Sequence, residues 1–296
     1  MLVILAKAVT LLSAAIAAGT SVAPTLLPTK RLTPALAAAF YAALAALVLA
    51  SALEVVVNLV RLLGHAEWDL FVSYLSSTRH GHAVVARTAV AAALTAAVAV
   101  PWLRLLRWPL ALALLTTYSY ASHAAGMGGT WHMITDLVHY GAVAVWAGAV
   151  LAARAAPVWR AGAEALKLDT LERLSRIGLL TVLLLTLTGV ISTLVHSSDP
   201  ASFVASPYAT AWLVKVGIVA LTVALAAWNR FGLLPAARRD ETDLRMRRSL
   251  TTELALLLAV FVATAWLTTS ALPHTAEDSS TSPIENLQRW ADYLRE

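Results

Sequence analysis

The chain has 296 residues, of which 59% are hydrophobic and 13% charged, with a formal net charge of +5 and a mean hydropathy of +0.72. So little charge in so long a chain excludes an ordinary soluble domain and makes the bilayer the expected solvent. Cysteine is absent, which excludes disulfides, thiolate metal sites and a cysteine nucleophile.

A membrane-crossing helix needs roughly 20 mostly apolar residues. Eight segments qualify, at about 2–27, 34–62, 83–106, 108–125, 131–154, 173–197, 208–230 and 248–272. Strand-like alternation is missing, so a barrel is not expected. The predicted fold is all-α: a polytopic bundle of about eight transmembrane helices over residues 1–272. The first segment has small residues near Ala17–Gly19 and so looks in part like a signal peptide. Its positive charges, Lys30 and Arg31, follow the apolar run instead of preceding it, and we read a retained helix with its N-terminus outside. Residues 273–283, "PHTAEDSSTSP", read as a linker. Ser282, Pro283 and Glu285 then open a short amphipathic helix with Ile284, Leu287, Trp290 and Leu294 on one stripe. Residues 273–296 are thus an extracytoplasmic appendage.

The sequence pI near 9.7 invites a nucleic-acid reading, but the basic residues sit in short loops between apolar spans. The odd-numbered loops carry Lys30, Arg31, Arg104, Arg107, Arg160, Lys167, Arg238 and Arg239, among others. The fourth and sixth loops, near 126–130 and 198–207, carry none. The second has Arg61, Arg79 and Arg87 near its ends. By the positive-inside rule the odd loops are cytoplasmic and both termini lie outside. All 8 histidines then fall on or near the outer side: His65, His80 and His82 in the second loop, His123, His132 and His139 flanking the fourth, His196 beside the sixth, and His274 after the last span.

The richest stretch is "SHAAGMGGTWHMITDLVH", residues 122–139. His132, Asp136 and His139 are spaced i, i+4, i+7 and share one helix face. Two imidazoles and a carboxylate on one stripe can ligate a divalent ion, or the carboxylate can orient a ligating histidine. His139 lies about 13 Å into its span at 1.5 Å per residue, a depth at which an ionisable group must face the bundle interior or a wet cavity. His123 and Met127 are one turn apart, and Gly126, Gly128 and Gly129 let Met127 and Met133 fold over a site. Thioether with imidazole suits Cu(I); imidazole with carboxylate suits Cu(II) or Zn(II). The plainer alternative is that Asp136 and His139 pair with each other. His80 and His82 make an H-x-H pair that would face one way in an extended segment and diverge in a helix; with His196 they are candidates for surface metal collection. Glu54, Asn58 and Lys215 lie inside spans at similar depth and form a candidate supporting polar cluster, with Lys215 neutralising Glu54 or Asp136.

In the other half of the bundle Asn229, Arg230 and Glu253 are placed to pin the last two helices together, and Thr181, Thr186 and Thr188 offer hydroxyls. There is no phosphate loop, nucleophile elbow or HExxH motif, and no enzymatic activity is expected. Handling of a metal ion, imported from the outer side through the His/Asp/Met cluster, is the leading function. A redox protein holding haem b between histidines, such as His123 with His139 or His139 with His196, is the alternative, and an outer-face copper-binding or assembly protein is a third.

The order and spacing of several short pieces resemble the bacterial copper resistance protein D (CopD) family, best over about 120–273. The pieces are Ser122-His123-Ala124, Asp136 with His139, Trp146-Ala147-Gly148, Thr188-Gly189, Tyr208 with Lys215, Asn229-Arg230, Glu253 and Pro273. The resemblance implies an inner-membrane protein of about eight spans that binds or passes copper, commonly with a periplasmic copper carrier of the CopC type. Where the family pattern has Trp-x-Gly-Gly this chain has Ala149, and Ala209 stands in place of the glycine after Tyr208.

Overall fold

The computed structural model describes residues 1–28, 32–121, 130–159, 164–196, 200–237 and 243–270. They are helical almost throughout, as an apolar chain without β-type alternation must be if its backbone is to be satisfied away from water. The helices are α1 (Leu2–Leu26), α2 (Pro34–Leu63), α3 (Trp68–Ser77), α4 (Arg79–Ala99), α5 (Arg107–Ala121), α6 (Thr130–Ala155), α7 (Glu164–His196), α8 (Pro200–Val204), α9 (Pro207–Trp228), α10 (Leu234–Ala237) and α11 (Asp243–Thr269). Seven of them (α1, α2, α4, α6, α7, α9 and α11) are long and apolar enough to cross a membrane. The chain is an all-α polytopic bundle.

Local chemistry sets the ends. Thr33 caps α2 by accepting from Leu36 N at 3.2 Å, with Pro34 at the first helical position, and Gly64 at φ 82° closes it. Ser206 and Pro207 open α9 in the same way. The expected third span, 83–106, is cut short: Pro101 cannot donate to the helix ladder, Val100 before it is extended, and Pro101–Leu106 winds as a 3-10 segment. The expected fourth span begins as α5, 15 residues long, and its remainder, 122–125, lies outside the described residues. So do His123, Met127, His274 and the expected appendage, 273–296. The second loop is not irregular: it holds α3, whose Leu70, Phe71, Tyr74 and Leu75 pack on Val55, Leu59 and Val84.

The core is built around α1 and α6. Ala14, Ala15, Ala17 and Ala23 of α1 and Ala149, Val150 and Ala153 of α6 are wholly buried. The two helices meet at Gly19 and Gly148, where a Cβ on either would strike the other's backbone. Small residues let the backbones touch, which is how apolar helices associate where lipid offers no hydrophobic contrast. Gly148, the surviving glycine of the Trp146-Ala147-Gly148-Ala149 stretch, is the one this contact requires. By contrast α7 and α9 leave much of their apolar surface exposed, including Leu180, Leu183, Leu187, Leu213 and Leu221.

Candidate functional site

Three polar groups interrupt the apolar interior, two in the half of the bundle that carries Met1 and one in the other half. The first gathers on α1, α2, α4 and α5. Glu54, 6% exposed, takes Lys7 Nζ at 3.2 Å and Thr10 Oγ1 at 3.4 Å, with His80 Nε2 at 3.6 Å. Arg87, 2% exposed, donates from Nε to Thr117 Oγ1 and from Nη1 to Ser51 Oγ, both at 3.3 Å, and lies 3.7 Å over the Tyr118 ring. Tyr118 Oη donates to Thr10 O at 2.9 Å. These partners suit a membrane interior, where an unpaired charge is expensive. On the surface helix α3, Tyr74 meets His80 Nδ1 at 3.2 Å and Asn58 approaches the same hydroxyl; burial pushes that hydroxyl above its ordinary pKa.

This geometry corrects three expectations. Glu54 is neutralised by Lys7, not by Lys215. Arg87 is a buried span residue, not a loop charge. His80 and His82 start a helix and so diverge: His80 turns in toward Glu54, while His82 Nε2 meets Ser76 O at 2.6 Å. They do not form one chelating pair.

The second group lies on α6, α7 and α9. His139 Nδ1 is 2.8 Å from Thr188 Oγ1, and that hydroxyl is also 2.6 Å from Leu184 O. A hydroxyl has a single proton. With it given to the Leu184 carbonyl, Thr188 accepts from His139, which fixes the Nδ1–H tautomer and leaves the Nε2 lone pair for a ligand. Gly189 lies beside the ring, where a Cβ would make only ordinary contact, 3.8 Å, with His139 Cε1. Asp136, half-buried one turn earlier, and Lys215 from α9 are electrostatic neighbours, and Lys215 is also felt at His139. His132 and Met133 lie half-exposed toward the Met1 end of α6. The structure therefore keeps Asp136, His139 and Lys215 together. Among the described residues no group of three or more His, Asp or Glu is arranged to hold a metal ion. His123 and Met127 lie outside the described residues. Of His196 only the backbone, at the end of α7, is described.

The two groups are joined through aromatic rings: Tyr140 stands edge-on to Tyr118 at 5.4 Å between centroids, and its hydroxyl donates to Leu11 O. Lys7, Arg87, Tyr118 and Tyr140 were not singled out from sequence as site residues. Lys7 had a usable signal, being the sole charge in the first 29 residues.

The third group lies toward the opposite end. Glu253, 4% exposed, accepts from Trp146 Nε1 at 2.7 Å and from Asn229 Nδ2 at 2.9 Å. Ser249 donates to Asn229 Oδ1, and Arg230 Nη1 donates to Ser175 Oγ at 2.7 Å. Asn229 opens a π-helical turn, Asn229–Leu233.

The profile of the family described as copper resistance protein D matches residues 168–267. A copper resistance protein D from Pseudomonas syringae pv. tomato is 30% identical over 246 residues, covering 75% of this chain and 79% of that protein. This chain belongs to the copper resistance protein D family. No solved structure matches it. Within the copper resistance protein D match lie most of α7, all of α9 and most of α11, and with them Thr188, Lys215, Asn229, Arg230 and Glu253. His139 and Trp146 reach into this set from α6, while the Lys7–Glu54–His80 group lies outside the profile-matched segment. Membership makes this copper resistance protein D relative a copper-handling, multi-pass membrane protein.

Proposed function

We propose that the chain carries copper ions across the bacterial inner membrane from the extracytoplasmic side, which is the side of Met1. The observation that carries this reading is the 2.8 Å contact between His139 Nδ1 and Thr188 Oγ1. With the Thr188 proton on Leu184 O, Nδ1 donates to Thr188 and Nε2 is a ready ligand; a hydrogen-bond partner of this kind orients metal-binding histidines generally. His132 and Asp136 share the His139 face of α6, and Met133 lies beside them; His123 and Met127 complete the set we propose. Lys215 holds Asp136 until the cation arrives. Copper resistance is named for the Pseudomonas syringae relative, and copper accepts imidazole, thioether and carboxylate together in one site more readily than other first-row ions.

The orientation rests on loop charge. Arg104, Arg107, Lys167 and Arg173 cluster at the end opposite Met1, and removing the buried Arg87 from the outer count sharpens the asymmetry. A periplasmic copper carrier of the CopC type is the proposed donor, meeting the Met1 face. Uptake of radioactive copper into proteoliposomes containing this protein alone tests the proposal. Saturable uptake, lost in His139→Ala, is expected. Tight copper binding without uptake would overturn the carrier and leave an outer-face copper protein.

A further inference from the structure

Glu253 has no evident use as a ligand for incoming copper. It sits about 15 Å along α11 from the Asp243 end, at 1.5 Å per residue, inside a span. The described structure gives it no cationic hydrogen-bond or ion-pair partner: both of its hydrogen bonds come from neutral donors, the Trp146 indole and the Asn229 amide. Beside it is a cavity of about 130 Å³, lined by Trp146, Ser175, Gly178, Asn229, Arg230 and Glu253 together with leucines and valines. That volume exceeds what one water needs, and the polar lining offers the partners that water requires. A carboxylate within a membrane, held by neutral donors and open to a wettable cavity, is the arrangement found in proton relays.

Among the described residues Arg230 is the only other charged side chain lining the cavity, and its Nη1 is held by Ser175. On α6, Arg154 turns away to Thr251 at 3.1 Å, and Asp136 and His139 lie in the other half. The only charge on α1 is Lys7, at the far end; that on α9 is Lys215, also in the other half. On α7, Arg173 pairs with Asp169 at 2.9 Å, while Lys167, Glu172 and Arg176 belong to the same basic end. On α11 itself Arg245, Arg247 and Arg248 lie toward the helix start. The guanidinium of Arg230 disfavours a metal cation in this cavity. It does not disfavour a proton, which adds to the carboxylate oxygen and makes it neutral.

We propose that Glu253 is a proton-binding site, reached by water through this cavity from the end of the bundle opposite Met1. Water in the cavity delivers a proton to a carboxylate oxygen, giving the neutral acid, and the same proton returns to water when the carboxylate reforms. The Trp146 and Asn229 donors hold the ionised form. Because Asn229 begins the π-helical turn, a feature frequent at functional sites, protonation and helix geometry are joined at one residue. In the carrier reading, on which only this consequence rests, a proton bound at Glu253 after copper has left neutralises the carboxylate and travels back as the bundle resets.

The test is infrared difference spectroscopy of the purified full chain without copper, comparing acidified with neutral samples. The wild type should show the C=O stretch of a buried neutral carboxylic acid on mild acidification, sensitive to exchange into heavy water. Glu253→Gln, whose single amide oxygen still accepts from one of the two donors, Trp146 or Asn229, should lose that band while remaining folded. Asn229→Ala should move the midpoint of the titration. Survival of the band in Glu253→Gln, or no such band in the wild type, overturns the proton site whatever copper does. Loss of copper uptake as a property of the wild type overturns the carrier and leaves the proton site standing.

Discussion

Replacing Thr188 by valine removes one oxygen and little else. Valine keeps the shape, and the Leu184 carbonyl loses only the extra bond from the Thr188 hydroxyl, a back-bond that contributes little to helix stability. What disappears is the acceptor 2.8 Å from His139 Nδ1. A neutral hydrogen bond contributes about 1 kcal/mol net, roughly a factor of 5 in any equilibrium that depends on it. The imidazole also loses its orientation and its preference for the tautomer with a free Nε2. Partners of this kind typically change metal affinity by roughly 10- to 100-fold. We therefore expect Thr188→Val to weaken copper binding about tenfold, with thermal stability nearly unchanged. Competition titration against a chromogenic copper chelator, with the full chain in detergent, reads this directly. Thr188→Ser restores the hydroxyl and should restore affinity. Thr186→Val, at an exposed position whose hydroxyl bonds only Val182 O, should do nothing. Binding in Thr188→Val indistinguishable from wild type would refute the tautomer argument, and so would an equal loss in Thr186→Val.

Orientation is checked with single cysteines in this cysteine-free chain. Ser77→Cys on α3 should react with an impermeant thiol reagent in intact cells and Leu105→Cys only after permeabilisation; the reverse pattern inverts the topology. Gly19→Val puts side-chain atoms where the Ala144 carbonyl and Gly148 backbone stand, and should cost about 1–3 kcal/mol, seen as a lower unfolding temperature, whereas Gly141→Ala, with open space around it, should not. Lys7→Met should destabilise the fold by leaving Glu54 underpaired, by up to roughly 3 kcal/mol; Lys7→Met with Glu54→Gln should recover much of that loss, and additive losses would show that the pair is not coupled.

The fold class was legible because apolar runs long enough to cross a membrane leave no other solution, and the side-chain chemistry of α6 was legible because His132, Asp136 and His139 repeat at helical spacing. The partner of His139 was harder to see. Thr188 was noted as one hydroxyl among several and, with Gly189, as a piece of the family resemblance, but nothing in its own neighbourhood says that α7 packs against α6 at that level. Glu54 and Lys215 looked alike in sequence, two polar residues at similar depth, yet they sort into different groups because α1 fills the centre and brings Lys7 to Glu54. Spacing along the chain carries no information about that three-dimensional choice. The helix α3 escaped notice for a related reason: ten residues are too few to stand out as a span, and its apolar face shows only against Val55, Leu59 and Val84.

The copper-side group and the Glu253 group share α6, α7 and α9, of which α6 and α9 are held very differently. α6 carries Asp136, His139 and Trp146, and its Gly148 is locked against Gly19 of the buried α1. A helix gripped backbone to backbone cannot shift without disturbing the whole core. α9 carries Lys215 at one end and leads into Asn229 at the other, separated by about 21 Å at 1.5 Å per residue. It exposes Leu213, Leu221 and Trp228 and ends in a π-helical turn. Of the two, α9 is the less tightly packed. In the carrier reading a copper ion arriving at Asp136 and His139 repels the Lys215 ammonium, and the helix answers as a rod, carrying the change to the Asn229 amide that donates to Glu253. A proton taken up there removes the charge that Asn229 was holding and weakens the grip at the other end of the same rod. In that reading each site biases the other through one shared element, which is what coupling requires, with no ladder of metal ligands needed through the inner half of the bundle.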